Sequence, residues 1–579
     1  MRHRRVVTAL AIPLAFAFVA ASCGSDSSSS DVTTVEGTTA TEDTEPAAPV
    51  TAPEQVETSV VENVDEIAYG GSVTVGLEAE ATGLRPWEDT SSSNYYNIME
   101  TIYDPLMEQN IDGEYEGYLA ESLVANDDFT VWTLTLRPGV TFHNGTELTA
   151  QTIADMFPIQ QAGAFSSGVV ASSGLIGVEA IDDLTVQYTL GAPNSAFTSN
   201  LTGAALGFPF DPVEATANPV GYSTNPIGTG PFVIKSRDID NETVVVRNPD
   251  YWRADPDGNQ LPYLDSVSFR PIPDEGNRLD ALISGTTNAM TTLRQGTIRD
   301  ARAESGLTLY EFQGSNVGGG YFNTAKAPYD DQRVRLGLVT LTDQERMIDA
   351  LGGAGISLPG TQWASADSPW WTKEAADAYP TFDFEKGKAL LQEYVDDPER
   401  SDGKAAGEKI DVTLSCPPDP SLLAYVQVIE QVWTGSELVN VNLTSFDQAT
   451  HINMALNDEH DAHCWRMSGE GDPGPLLSPA VADPAVSPLN FSNYFDPEMV
   501  AWATEAGQTD DSGIRKELFG KINQRWNEQG VFWYAGQTAT AVVTADNVKG
   551  LSSWTLPSGN LGLGTPDAVG RWGQAFIVQ

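Results

Sequence analysis

Trp132-Thr-Leu-Thr-Leu-Arg-Pro-Gly-Val-Thr-Phe-His-Asn-Gly-Thr-Glu-Leu-Thr-Ala150 packs a strand, two turns and a helix start into one short run. Trp132, Leu134 and Leu136 alternate with Thr133 and Thr135, the period of a strand with one buried face. Pro138-Gly139 ends that strand. Phe142 then marks a short second strand, turned at Asn144-Gly145. Thr149 stands where a helix N-cap belongs, ahead of Ile153 and Phe157 at helical spacing. Period two thus gives way to period 3.6 within a few residues, which points to a mixed fold.

The same signals recur on both sides. Gly71-Ser-Val-Thr-Val-Gly-Leu77 alternates like a first strand, and Val267 and Phe269 mark another. Asp274 caps a helix carrying Leu279, Leu282 and Ile283, stopped by Gly285. Asp330 opens a further helix, with Val334, Leu338 and Leu341 at steps of four and three. No internal repeat of fixed period occurs. The class expected is α/β, with mixed sheets made from antiparallel hairpins and helix crossovers. With 579 residues, at least two domains are expected.

Charge and the N-terminus restrict the setting. The formal charge is −49, from 31 basic and 80 acidic residues, which repels phosphate backbones and argues against a nucleic-acid partner. Arg2, His3, Arg4 and Arg5 precede the short apolar run Val6 to Ala21, which contains Pro13. That pattern reads as a signal peptide over 1–22 rather than a membrane span. Val19-Ala-Ala-Ser-Cys-Gly24 resembles a bacterial lipobox, although Ala20 stands where Leu or Val is usual. Cys23 is therefore the expected lipidation site. From Gly24 to Ala68 there is no aromatic residue, Lys or Arg. The acidic, Ser/Thr-rich stretch 23–68 has too little apolar surface to fold and reads as a disordered stalk. The expected location is the extracytoplasmic face of a membrane, with lipid as the anchor.

Leu136 to Ala150 resembles the signature hairpin of the family 5 extracellular solute-binding proteins, the oligopeptide, dipeptide and nickel receptors of ABC importers. Tyr103-Asp-Pro-Leu106 and Leu119-Ala-Glu-Ser122 resemble the segments before it. Asn225-Pro-Ile-Gly-Thr-Gly-Pro-Phe232, Arg247-Asn-Pro-Asp-Tyr-Trp252 and Pro262-Tyr-Leu-Asp265 follow in the family's order. So do Asp331 to Arg335, Phe384 to Leu391 and Arg515 to Trp526, although Gly337 to Leu341 departs from the usual alanine-rich sequence. The resemblance implies a two-lobed, periplasmic-binding-protein-like fold. The discontinuous lobe I would span 69–314 plus 530–579, lobe II would span 315–529, and two crossover strands would form the hinge. It also implies a monomer that binds a peptide or other small solute and delivers it to membrane permease subunits, with the ATPase on another chain. No Gly-Lys-Ser or Gly-Lys-Thr occurs here.

Other functions find less support. There is no Gly-x-Ser-x-Gly elbow for a hydrolase, and Ser401-Asp-Gly-Lys404 lies in a charged loop. An orphan receptor or binding scaffold of the same fold is the alternative to a transport component. His460-Asp-Ala-His463-Cys464 has metal-like spacing, but Asp461 to Met467 reads as a strand, so the two histidines would point apart as polar surface groups. Neither a metal nor a cofactor is expected. Cys416 and Cys464 are the thiols left once Cys23 is lipidated, and an exported protein permits their pairing as a disulfide.

Family position nominates Tyr95, Tyr96, Trp363 and Trp465 as ligand contacts, with core packing as the alternative for each. In peptide-binding members an Asp shortly after the Trp pairs with the ligand's ammonium group. Here Trp465-Arg-Met-Ser-Gly-Glu-Gly-Asp-Pro473 puts Gly469, or Ser468, at that place. Glu470 or Asp472 substitutes only if the Gly-rich turn redirects it. Peptides with a free N-terminus are therefore not expected to be the best ligands.

Overall fold

The computed structural model describes residues 67–578 apart from Thr90, Ser91, Asp419, Gly469 and Glu470. The signal-peptide segment, Cys23 and the linker up to Glu66 lie outside the described residues, as do the expected site residues Gly469 and Glu470.

The first strands are β1 (Ser72–Leu77), β2 (Met107–Gln109), β3 (Tyr115–Gly117), β4 (Ala120–Ala125) and β5 (Val131–Leu136). After them come β6 (Leu175–Ala180), β7 (Thr185–Leu190), β8 (Phe232–Asp238), β9 (Glu242–Arg247), β10 (Ser266–Pro271) and β11 (Ala289–Thr292). The chain continues with β12 (Leu307–Phe322), β13 (Ile410–Cys416), β14 (Val439–Ser445), β15 (Ala462–Ser468) and β16 (Phe532–Ala545). In β5, Trp132, Leu134 and Leu136 are buried and the intervening residues half-buried, as their alternation predicts. Thr149 caps the helix Ala150–Ala162 through a reciprocal capping box with Thr152. The segment around Phe142 makes a single bridge, Thr141 to Glu147, rather than a strand. Gly145, at φ +81°, closes its turn by donating to the Phe142 carbonyl at 2.8 Å. The helix expected to open at Asp330 is capped one residue later by Asp331, whose carboxylate accepts from the Arg333 N–H. Asp330 instead closes the preceding turn and accepts from the Ser401 hydroxyl at 2.6 Å.

Ten strands form one mixed sheet in the order β14-β13-β15-β12-β16-β11-β1-β10-β9-β8, and β4-β5-β7-β6 form a second, antiparallel sheet. The long strands β12 and β16 pair antiparallel through most of their length and lie at the middle of the large sheet. Buried apolar residues gather into two main cores on either side. The first runs from Val73 to Tyr310 and resumes at Val542 through Ala575. The second runs from Val317 to Ala535. Residues Val531 to Ala535, expected with the first part, thus pack in the second, because β16 leaves that core only beyond Gly536.

The first core contains a charged network. Arg571 contacts Glu100 Oε2 at 2.9 Å and Glu108 Oε2 at 2.5 Å, and its guanidinium lies 4.7 Å from the Trp554 ring centre. Arg571 also lines a small cavity of about 30 Å³ with Asp104, Tyr118 and Arg253.

Candidate functional site

Where β12 runs through the second core it carries Gly318-Gly319-Gly320. A Cβ at Gly319 would sit 1.9 Å from the Trp533 carbonyl oxygen, and one at Gly320 would sit 2.1 Å from the Trp533 ring. These glycines let β15 and β16 lie tightly on both sides of β12. Gly319 pairs with Trp465 and Gly318 with Arg466, so the two side chains leave β15 on opposite faces.

The cores also meet away from the shared sheet. The Ser195 N–H donates to the Gly507 carbonyl at 2.9 Å, and its hydroxyl donates to the Ala506 carbonyl at 3.0 Å. The Asp472 N–H donates to the Tyr115 hydroxyl at 3.2 Å. Asn316 Nδ2 donates to Asp567 Oδ1 at 2.8 Å, joining β12 to a loop whose next residue, Ala568, belongs to the first core. Burial raises the Asp567 carboxyl above its usual range, opposed by the Asn316 hydrogen bond and the charge of Arg466.

Two of the residues nominated from sequence, Tyr95 and Trp363, are fully buried. Tyr95 is fully buried in the first core, with its hydroxyl on the Arg85 carbonyl at 3.3 Å. Its neighbour Tyr96 is half-buried, and its hydroxyl accepts from the Ala204 N–H at 3.3 Å. Trp363 is buried in the second core. Trp465 is half-buried, its ring 4.6 Å from Phe491 and 5.7 Å from His463. Asp472 is taken by Arg515: two contacts, 2.5 and 2.6 Å, join its carboxylate to the guanidinium. Both side chains are enclosed, so this carboxylate is committed to the protein. Arg466, Asn316 and Asp567 were not singled out from the sequence. An arginine directly after the family tryptophan was the one available signal.

The histidines require a correction. His451, His460 and His463 are buried together rather than on the surface. His460 precedes β15, so strand alternation does not set its direction, and its ring centre lies 5.0 Å from that of His463. The rings of His451 and His463 stack at 3.6 Å. Nε2 of His451 meets the Cys464 carbonyl at 2.9 Å, and Nε2 of His460 meets the Phe491 carbonyl at 2.7 Å. Carbonyl partners make these nitrogens donors. Neither ring nitrogen of His463 has a hydrogen-bond partner. Among the described residues no group of three His, Cys, Asp or Glu is placed to hold a metal.

Burial, then the neighbouring His451 and His460, pushes His463 down to about 2. A depressed histidine favours the neutral form in the fold. Its contribution to stability is therefore complete above the unfolded value near 6.5 and is lost as pH falls below it. Burial likewise lowers His451 and His460, the latter also facing Lys326 and Asp458. His463→Phe removes one such proton while keeping a flat ring and breaking no hydrogen bond. Between pH 8 and pH 5 the variant should gain about 2 kcal/mol relative to the parent protein. Urea denaturation at the two pH values measures this, and a difference that does not change with pH counts against a neutral buried His463.

The structure pairs Cys416 with Cys464, their Cα atoms 5.0 Å apart. The Tyr425 hydroxyl lies 2.8 Å from Cys464 Sγ.

Two α/β cores sharing one sheet and joined by polar contacts are the architecture of periplasmic binding proteins. The chain belongs to the bacterial extracellular solute-binding proteins, family 5, matching that family's middle region over residues 114–487. It is 25% identical over 497 residues to di/tripeptide-binding protein 1 of Pseudomonas aeruginosa, covering 80% of this chain and 88% of that one. Identity to heme-binding protein A of Haemophilus influenzae is 27% over 476 residues, covering 76% and 82%. Among solved structures, the binding protein AgaA of A. tumefaciens R10 in complex with agropinic acid superposes with a TM-score of 0.72. That match has 20% identity and covers 88% of this chain and 99% of AgaA. The fold is therefore the mixed α/β fold of these receptors, and the protein is a solute-binding protein.

Proposed function

We propose that this chain is the lipid-anchored receptor of an ATP-driven importer, tethered at Cys23 and passing its solute to permease subunits in the membrane. The observation that carries the reading is the pair of cores joined through β12 and β16, with polar groups of the two cores meeting at Asn316–Asp567 and Asp472–Tyr115. The first core is lobe I, the second is lobe II, and the two long strands are the hinge. A solute touching both lobes favours the closed arrangement by its differential affinity for it. The named relatives bind di- and tripeptides and heme, and AgaA holds agropinic acid, so the fold admits several ligand chemistries. Asp472 is committed to Arg515, which supports a ligand other than peptides anchored by a free ammonium group.

Mass spectrometry of the solute released when natively purified protein is denatured tests the receptor role. One small solute that rebinds one-to-one is the expected result, and a protein that releases none and binds none contradicts it. The anchor is tested separately. Cys23→Ala should move the protein from the membrane to the soluble or secreted fraction, and unchanged membrane association would refute lipidation at Cys23.

A further inference from the structure

Within β15, Arg466 leaves the face opposite to that of Trp465. It shares its face of the sheet with Asn316, which lies opposite Ser468 in the β12–β15 ladder and holds Asp567 by a 2.8 Å hydrogen bond. Directly opposite Arg466 stands Gly318, where a Cβ would find its nearest neighbour, Ala535 Cβ, at 3.8 Å. The cross-strand position therefore carries no side chain, and space remains above it. On its other edge β15 pairs with β13 only at Ala462 and His463, so no strand flanks Arg466 there. The side chain is exposed and forms no hydrogen bond or ion pair with a described residue, although Asp567 is near enough to feel its charge.

Arg137, Arg253, Arg335 and Arg346 also hold no carboxylate, but each donates to a carbonyl, hydroxyl or amide oxygen, so among the described arginines Arg466 alone has no side-chain partner. Arg515, Arg525, Arg333 and Arg571 each hold at least one carboxylate. If Arg466 merely latched the lobes together, it would close on Asp567, and no such ion pair forms. A guanidinium presents a planar fork that matches a carboxylate in two-point contact.

We propose that the cleft selects solutes bearing a single carboxylate, bound by Arg466 from lobe II, with Asn316 beside it and Asp567 of the facing side meeting the neighbouring polar groups of the ligand. This deepens the receptor reading and rests on it. The charge balance favours a monoanion: Arg466 supplies one positive charge while Asp567 stands close by, so a dianionic phosphate would lack a counter-charge. The recognition is the reverse of an ammonium anchor, since the acid end of the ligand, rather than its amine, meets the strand that follows Trp465.

The test uses the full-length protein and matched pairs of probes, each free acid beside its primary amide: dipeptides, N-acetyl-dipeptides, and gluconate with gluconamide. Calorimetry should find the best-bound probe to be an acid, with its amide weaker by tenfold or more. Arg466→Ala should remove that preference, and Arg466→Lys should restore part of it. Because Arg466 is exposed and bonds to no described residue, both variants should keep the parent unfolding midpoint. Equal affinity for acid and amide, or a preference that survives Arg466→Ala, overturns the inference and leaves the receptor reading standing. Tighter binding of phosphorylated probes than of carboxylates overturns it as well. Should no probe bind in either form and no solute copurify, the receptor reading falls with it.

Discussion

Replacing Arg571 by Met should destabilise the protein by about 3–5 kcal/mol, because it strands two enclosed carboxylates. Arg571 stands between Glu100 and Glu108, and the three side chains are only 18, 11 and 9% exposed. That enclosure sets this network apart from surface ion pairs, which contribute little. Burial already raises Glu100 to about 7 despite the attraction of Arg571. A raised carboxylate contributes stability that is complete below its unfolded value near 4.5 and is lost as pH rises through 7, opposite in sense to the buried histidines. Met preserves much of the packing over Trp554, so the loss reports charge rather than volume. The urea midpoint should fall, and the triple variant Arg571→Met, Glu100→Gln, Glu108→Gln should recover most of it. A change below about 1 kcal/mol for Arg571→Met would mean that water or rearrangement solvates the carboxylates and that the network is not structural.

The second large effect concerns the Cys416–Cys464 bridge. The cysteines are separated by 48 residues. Closing a loop of that size in the unfolded chain stabilises the fold by about 4 kcal/mol in the chain-entropy account. Both cysteines are buried against the second core, so a reductant should have little effect on the native protein and a large effect once denaturant opens it. The urea midpoint with reductant should lie well below the midpoint without it. Thiol labelling of denatured, unreduced protein should modify neither Cys416 nor Cys464, and two reactive thiols would refute the bridge.

What was legible in the sequence was local. The alternation in Trp132 to Leu136 and the cap at Thr149 depend on neighbours a few residues away, and the structure contains both. The cysteine pairing was legible because compartment and number left one choice. The site was less so, because its groups meet only through the fold. Tyr95 and Tyr96 are adjacent in sequence, yet one is fully buried and the other half-buried, a difference set by what their helix packs against. Asp472 resembled a free anchor until Arg515, from a distant helix, closed on it. His451, His460 and His463 come from a helix, a loop and a strand, and no spacing rule unites them. Asp567 sits in a loop with φ +51° and reaches Asn316 across the whole second core in sequence. Helical and strand periods carry no information about such meetings.

If this chain supplies an importer with its solute, cellular uptake of that solute depends on it. The solute that copurifies with the protein should be labelled and offered to cells with and without the chain. Uptake should be lost without the chain, return with the parent protein, and be reduced with Arg466→Ala at solute concentrations near the parent's half-saturation. Undiminished uptake in cells lacking the chain would contradict the account.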